Sequence, residues 1–112
     1  MSERRPPITT HILDVALGRP AAGVAVRLAR LGESVEELGQ SSTDADGRAG
    51  FSLTLAPATY RLRFEVGPYF EAGGRATFYP HVEIVFAVRA VTEHYHVPLL
   101  LSPFGYSTYR GS

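Results

Sequence analysis

The chain reads as an all-β protein, a two-sheet sandwich of about eight short strands with one short helix. Three observations predict this class. Tyr60–Val66 alternates apolar and charged residues without a break, the mark of a strand buried on one face. Turn-forming clusters recur at Gly18-Arg19-Pro20, Asp44-Ala45-Asp46-Gly47, Ala56-Pro57 and Ser102-Pro103, dividing the chain into strand-length pieces as an antiparallel sandwich requires. Only Gly67–Gly74 carries helical punctuation, with Pro68 suited to a first helical position and Gly73 to a stop. It has room for one or two turns.

The elements follow in order. Pro6-Pro7 blocks regular structure before Ile8, and Thr9–Leu17 then reads as a strand that ends at the turn Gly18-Arg19-Pro20. Val24–Leu31 is a second strand, and the more polar Glu33–Ser42 a third, exposed one. Thr43–Arg48 is a turn in which Gly47 supplies the permissive backbone. Phe51–Leu55 and Tyr60–Val66 alternate as strands on either side of Ala56–Thr59. After the helical segment come strands at His81–Val88, Glu93–Leu101 and Phe104–Arg110.

A length of 112 residues fits one domain. Residues 1–7 are expected to be a flexible lead-in and residues 8–112 the single folded unit. There is no cysteine, which excludes a disulfide scaffold, a thiolate zinc site and a cysteine nucleophile together. Eleven basic residues balance eleven acidic ones, so the chain has no electrostatic footprint for nucleic acid or an anionic membrane surface. The longest apolar runs, such as Val97–Leu101, are too short to span a bilayer. The charged N-terminus has no apolar stretch behind it to make a secretory signal, and a cytoplasmic location is expected.

Strand parity sorts the polar residues, because side chains two apart share a face. His11, Leu13, Val15 and Leu17 share one face; His94, His96, Pro98 and Leu100 share another; Ser107, Tyr109 and Gly111 a third. Each set joins an apolar body to a polar end, as a ligand pocket or subunit contact would. His11 and His96 are candidate bases, since imidazole titrates at about 6.5; taken alone, each is equally a half-exposed strand histidine without chemistry. Arg48 is either a solvated loop arginine or a planar fork for a planar anion or imide. His94-x-His96 is compatible with a metal, with His81 able to approach from another strand. No third ligand stands at a telling spacing, and no metal is expected. The last residues, Tyr106–Ser112, alternate aromatic and β-branched types before Gly111-Ser112, which suggests that the terminus belongs to a site.

Three blocks carry a family likeness: Thr10-His11-Ile12-Leu13-Asp14 with Gly18–Val24; Thr43-Asp44-Ala45-Asp46-Gly47-Arg48; and His96–Pro103 running into Tyr109-Arg110-Gly111-Ser112. Phe78-Tyr79-Pro80 adds to them. On these residues the chain resembles the transthyretin superfamily, and within it the hydrolase branch acting on 5-hydroxyisourate, from about Ile8 onward. The hormone-carrying branch has a lysine in place of His11, a glutamate in place of Arg48 and a threonine in place of His96, and lacks the terminal tetrapeptide.

The resemblance implies a transthyretin-like (prealbumin-like) sandwich. It implies a homotetramer, a dimer of dimers, with sites at subunit interfaces. The implied reaction opens a cyclic amide, converting 5-hydroxyisourate to 2-oxo-4-hydroxy-4-carboxy-5-ureidoimidazoline in urate degradation, without a cofactor. His96 with Ser112 is the implied general-base pair. His11 would position water or substrate and exchange protons, Arg48 would bind substrate oxygens, and Tyr109 would line the pocket. By parity Ser112 points to the wrong face and must bend inward to act, and Arg110 points away from Tyr109, as a structural ion pair would. The alternatives are a carrier of a small ligand without chemistry and an interaction domain whose histidines are incidental.

Overall fold

The computed structural model describes residues 5–112. Nine strands and one helix follow in order: β1 (Ile8–Asp14), β2 (Arg19–Pro20), β3 (Ala25–Leu31), β4 (Val35–Ser42), β5 (Arg48–Phe51), β6 (Ala58–Phe64), α1 (Val66–Ala72), β7 (Val82–Val88), β8 (Tyr95–Ser102) and β9 (Gly105–Thr108). One sheet runs β4-β3-β6-β7. The other runs β2-β1-β8-β9, with β5 also paired to β1. The β1–β8 pair is parallel, whereas every other ladder is antiparallel. The inner faces meet through Ile8, Ile12, Val26, Leu28, Tyr60, Leu62, Phe64, Val97, Leu99 and Leu101, all nearly inaccessible. Outward residues of β1 and β8 alternate with these, as a one-sided sheet requires.

Several boundaries differ from the sequence expectation. The first strand ends at Asp14 rather than Leu17. Gly18 N–H donates to the Asp14 carbonyl (2.8 Å) and Leu17 N–H to Asp14 Oδ1 (3.1 Å), which turns the chain and leaves Val15 and Leu17 exposed. The Arg19-Pro20 turn residues themselves pair with Leu13 and Asp14 as β2. Strand β5 begins at Arg48 and stops at Phe51, so Ser52–Leu55 lies outside the ladder expected for it. Val66 opens the helix instead of closing a strand. Residues 1–4 of the expected lead-in lie outside the described residues. The Pro7 carbonyl accepts from Tyr95 N–H (2.9 Å), and Pro6 lies against Gly50.

Asp14 ties β1 to the helix. Its fully buried carboxylate accepts from Arg75 Nη2 (2.6 Å), Tyr69 Oη (2.8 Å) and Leu17 N–H. Burial alone would raise its pKa, but these donors outweigh it and hold the carboxyl below its ordinary value. Removing one partner of a buried pair strands the other, at a cost of about 3–5 kcal/mol. Asp14→Ala is therefore expected to lower unfolding stability in urea by an amount of that order. A depressed carboxyl stabilises the fold above the unfolded pKa of about 3.9 and ceases to as pH falls through the folded value. The gap between wild type and variant should accordingly narrow in acid.

Candidate active site

Register places the candidate residues. On the outward face of the β1 sheet, Thr9 is paired with Gly50 on one side and with His96 on the other, and His96 is bridged to Gly111. The adjacent row runs from Arg48 through His11 to Pro98. Rows two residues apart lie ~7 Å from each other. Residues remote in sequence thus become neighbours because β1 is central and accepts β5 on one edge and β8 on the other.

Thr9, Gly50 and His96 of the first row and Arg48 of the second border a cavity of about 480 Å³, which Asp44, His94 and Ser112 also line. Its size lies in the range of small-molecule sites. Arg48 is exposed at the start of β5. The turn before it is built by Asp44, whose Oδ1 accepts from the N–H groups of Asp46 (2.9 Å) and Arg48 (3.0 Å). The Arg48 bond is the main reason the Asp44 carboxyl lies below its usual pKa. Gly47 completes the turn at φ +75°, where a Cβ would stand 2.5 Å from the Ile12 carbonyl oxygen; only glycine lets β5 approach β1 so closely.

His96 is half-buried. Burial first, then the charge of Arg48, then His94 and His11, lower its pKa. His94 is lowered too, by burial and by Arg5, against a hydrogen bond with the Pro6 backbone. Both imidazoles are thus biased toward the neutral, base-competent form near pH 7. Thr9 Oγ1 stands between them, 2.9 Å from His94 Nε2 and 2.8 Å from His96 Nδ1, and the rings are near-parallel with centroids 6.4 Å apart.

The C-terminal segment closes one side. Gly111 N–H donates to the His96 carbonyl (2.9 Å), and a Cβ on Gly111 would stand 2.5 Å from His96 Cδ2 and 3.2 Å from Pro98 Cγ. The backbone passes so close to the imidazole that only glycine fits, which carries Ser112 into the cavity lining despite its strand parity.

Other candidates are placed differently. His11 stands beside the cavity, on the Thr9 face of β1 and opposite Arg48. Tyr109 is not among the cavity residues of its own chain; it is 58% exposed and lines a separate groove with Ile84, Phe86, Tyr95 and Val97. Arg110 pairs with Glu93 (2.9 Å), donates to the His94 carbonyl (3.2 Å) and lies over the Tyr95 ring, a structural role. His81 faces Glu83 on the other sheet (3.8 Å), and among the described residues no three histidine or carboxylate groups converge on a metal position. Thr9 escaped the sequence reading, since a strand threonine carries no signal until its neighbours are known. Among the described residues, no helix is long and apolar enough to cross a membrane.

The fold and this face define a class. Residues 8–111 match the model of the HIUase/Transthyretin family, to which the chain belongs. It is 52% identical to a 5-hydroxyisourate hydrolase of Caulobacter vibrioides, over 94% of this chain and 97% of that one. It is 46% identical to the 5-hydroxyisourate hydrolase of Mus musculus, over the whole of both. Among solved structures it is similar to the 5-hydroxyisourate hydrolase of Klebsiella pneumoniae, with a TM-score of 0.84, 42% identity and coverage of 94% and 98%. Sea bream transthyretin in complex with thyroxine superposes with a TM-score of 0.88 but 30% identity, covering 94% of each chain. Backbone shape is shared across the family, so side chains must separate its activities.

Proposed function

We propose that this protein hydrolyses 5-hydroxyisourate in urate degradation, opening a cyclic amide without a cofactor. The observation that carries this reading is the convergence of a neutral imidazole, a guanidinium and a terminal serine on one cavity. His96 takes a proton from water as its oxygen attacks the amide carbonyl. A C–O bond forms, Arg48 holds the carbonyl oxygen as negative charge develops, and the C–N bond breaks as the imidazolium returns the proton to the leaving nitrogen. His11, opposite Arg48 in the next row, positions the substrate or exchanges that proton in this reading. Water is the nucleophile and imidazole the base, so the chemistry draws on no metal.

The direct test generates 5-hydroxyisourate in situ with urate oxidase and follows its absorbance. Decay accelerated by the protein supports the reading; decay at the spontaneous rate leaves the carrier alternative, which the match to a thyroxine-bound transthyretin otherwise favours.

The lowered pKa of His96 has a kinetic consequence. Its base form persists below the ordinary imidazole value of about 6.5, so the acid limb of kcat/KM should lie below that pH. Removing the nearby positive charge of Arg48 should move the limb upward in whatever activity remains, because less repulsion opposes the imidazolium. An acid limb above 6.5 in the wild type would contradict the assignment.

The functional unit is a tetramer in this reading. Tyr106, Tyr109, Val85 and Phe104 are exposed apolar side chains that a second copy can cover. Tyr109 lies away from the cavity of its own chain, so a part in catalysis requires a second copy. Sedimentation should give four chains, and a stable, fully active monomer would overturn this assembly.

A further inference from the structure

The cavity has a second arginine. Arg5 lines it together with Arg48 and His94, and two contacts place it there. Pro6 lies on Gly50, where a Cβ would stand 2.9 Å from Pro6 Cγ, and Gly50 is two residues along β5 from Arg48, a spacing of ~7 Å. The Pro7 carbonyl accepts from Tyr95 N–H (2.9 Å), between His94 and His96 in the chain. Consecutive prolines fix two φ angles, and the first of them holds Arg5 itself to an extended backbone. Arg5 thus enters between β5 and β8, the two strands that flank β1 at Thr9. Arg5 and His94 also border a second groove, formed by residues 52–55 and 91–93, so Arg5 stands at the rim that the two share.

The charge of the lining is unbalanced. Among the described residues that border the cavity, Asp44 is the one acidic side chain, and its Oδ1 is engaged by the N–H groups of Asp46 and Arg48. Two guanidinium groups therefore stand against one carboxylate that the main chain already holds. Burial comes first among the causes that lower the pKa values of His94 and His96, and the charge of Arg5 adds to it at both. A guanidinium matches a planar carboxylate with two parallel hydrogen bonds. Hydrolysis of a cyclic amide creates such a group. The attacked carbon keeps its oxygen, gains the oxygen of water and loses nitrogen, which takes one proton of the water; the other goes to solvent, because a carboxyl of pKa about 4 is ionised near neutral pH.

We propose that Arg5 is a specificity-determining residue of the cavity, a second guanidinium beside Arg48 that binds planar anions and holds the carboxylate formed when the ring opens. Its part in turnover rests on the hydrolase reading above; its affinity for a planar anion does not. Arg48 takes the carbonyl oxygen during attack, and Arg5 meets the ligand from the rim.

Two measurements test this, both at about pH 8, above the imidazole range. In the first, calorimetry follows the binding of urate, a planar monoanion. Arg5→Gln should weaken urate about tenfold at low salt, the effect of losing one charge-assisted hydrogen bond. Melting should not change, because Arg5 is exposed and precedes the first strand. Arg89→Gln removes the same charge from an exposed position outside the cavity lining, and salt screening should keep its effect within about twofold. No urate binding by the wild type, equal affinity in Arg5→Gln, or an equal loss in Arg89→Gln would overturn the proposal. In the second, turnover of 5-hydroxyisourate is followed in the same variants. Arg5→Gln should raise KM and the product inhibition constant about tenfold with kcat little changed, since Arg5 grips substrate and product without taking a proton. Wild-type KM and product inhibition in this variant would remove Arg5 from turnover. Urate binding decides on Arg5 even if the wild type fails to hydrolyse 5-hydroxyisourate, so the two readings fail separately.

Discussion

Arg48→Glu is expected to abolish turnover while leaving the fold intact. Arg48 is exposed on the first residue of β5, and its anchoring contact is a main-chain N–H donated to Asp44, which any residue but proline keeps. A surface change of this kind usually shifts stability by no more than about 0.5 kcal/mol, so thermal melting should be nearly that of the wild type. Activity has two reasons to fail. Loss of a group that stabilises a developing oxyanion costs ~10²–10³-fold, and a carboxylate in its place repels the same charge. Glutamate would also raise the pKa of His96 where arginine lowers it, protonating the base near neutral pH. A loss of at least ~10³-fold in kcat/KM is expected from these together. Wild-type kcat/KM in a folded Arg48→Glu protein would remove Arg48 from the mechanism.

Gly111→Val should be nearly as damaging, for a geometric reason. The first added carbon would overlap His96 Cδ2 at 2.5 Å, so the imidazole or the chain end must move. Movement of the ring breaks its contact with Thr9 (2.8 Å), and movement of the chain withdraws Ser112 from the cavity. A displacement of ~1 Å at catalytic groups can cost ~10²-fold in rate. Gly111 pairs only through an isolated bridge at the sheet margin, so melting should change little. Deleting Gly111 and Ser112 is the matched control: it removes Ser112 without the clash. Full activity in both variants would show that the terminus is expendable and leave His96, His11 and Arg48 to carry the reaction.

Much of the fold is legible from particular residues. Tyr60–Phe64 is a strand because alternation allows only one buried face, and Val66–Ala72 turns helical where Pro68 and Gly73 had marked it. His11, Arg48, His96 and Ser112 are candidates through the blocks that resemble the hydrolase branch, Thr10–Asp14, Thr43–Arg48 and His96–Pro103 with the terminal tetrapeptide. The errors have local causes. Val15 and Leu17 keep the parity of the first strand, but the buried Asp14 takes the Leu17 N–H and turns the chain. Phe51–Leu55 alternates as well as any strand, yet β1 offers pairing partners only from Ile8 to His11.

The sequence by itself determined the class of fold, since alternation and turn chemistry are local properties, and it supplied the candidate residues His11, Arg48, His96 and Ser112 through blocks that carry a family resemblance. Only the tertiary structure decided which of those residues meet. Thr9 is an ordinary strand threonine until a parallel ladder sets it beside His96, 87 positions away. Tyr109, adjacent in sequence to the terminal site residues, is carried into a different groove. Ser112 reaches the cavity against its parity because the bare backbone of Gly111 can lie on an imidazole. The physical reason is common to all three: pairing register and close approach depend on distant strands, and no local pattern encodes them.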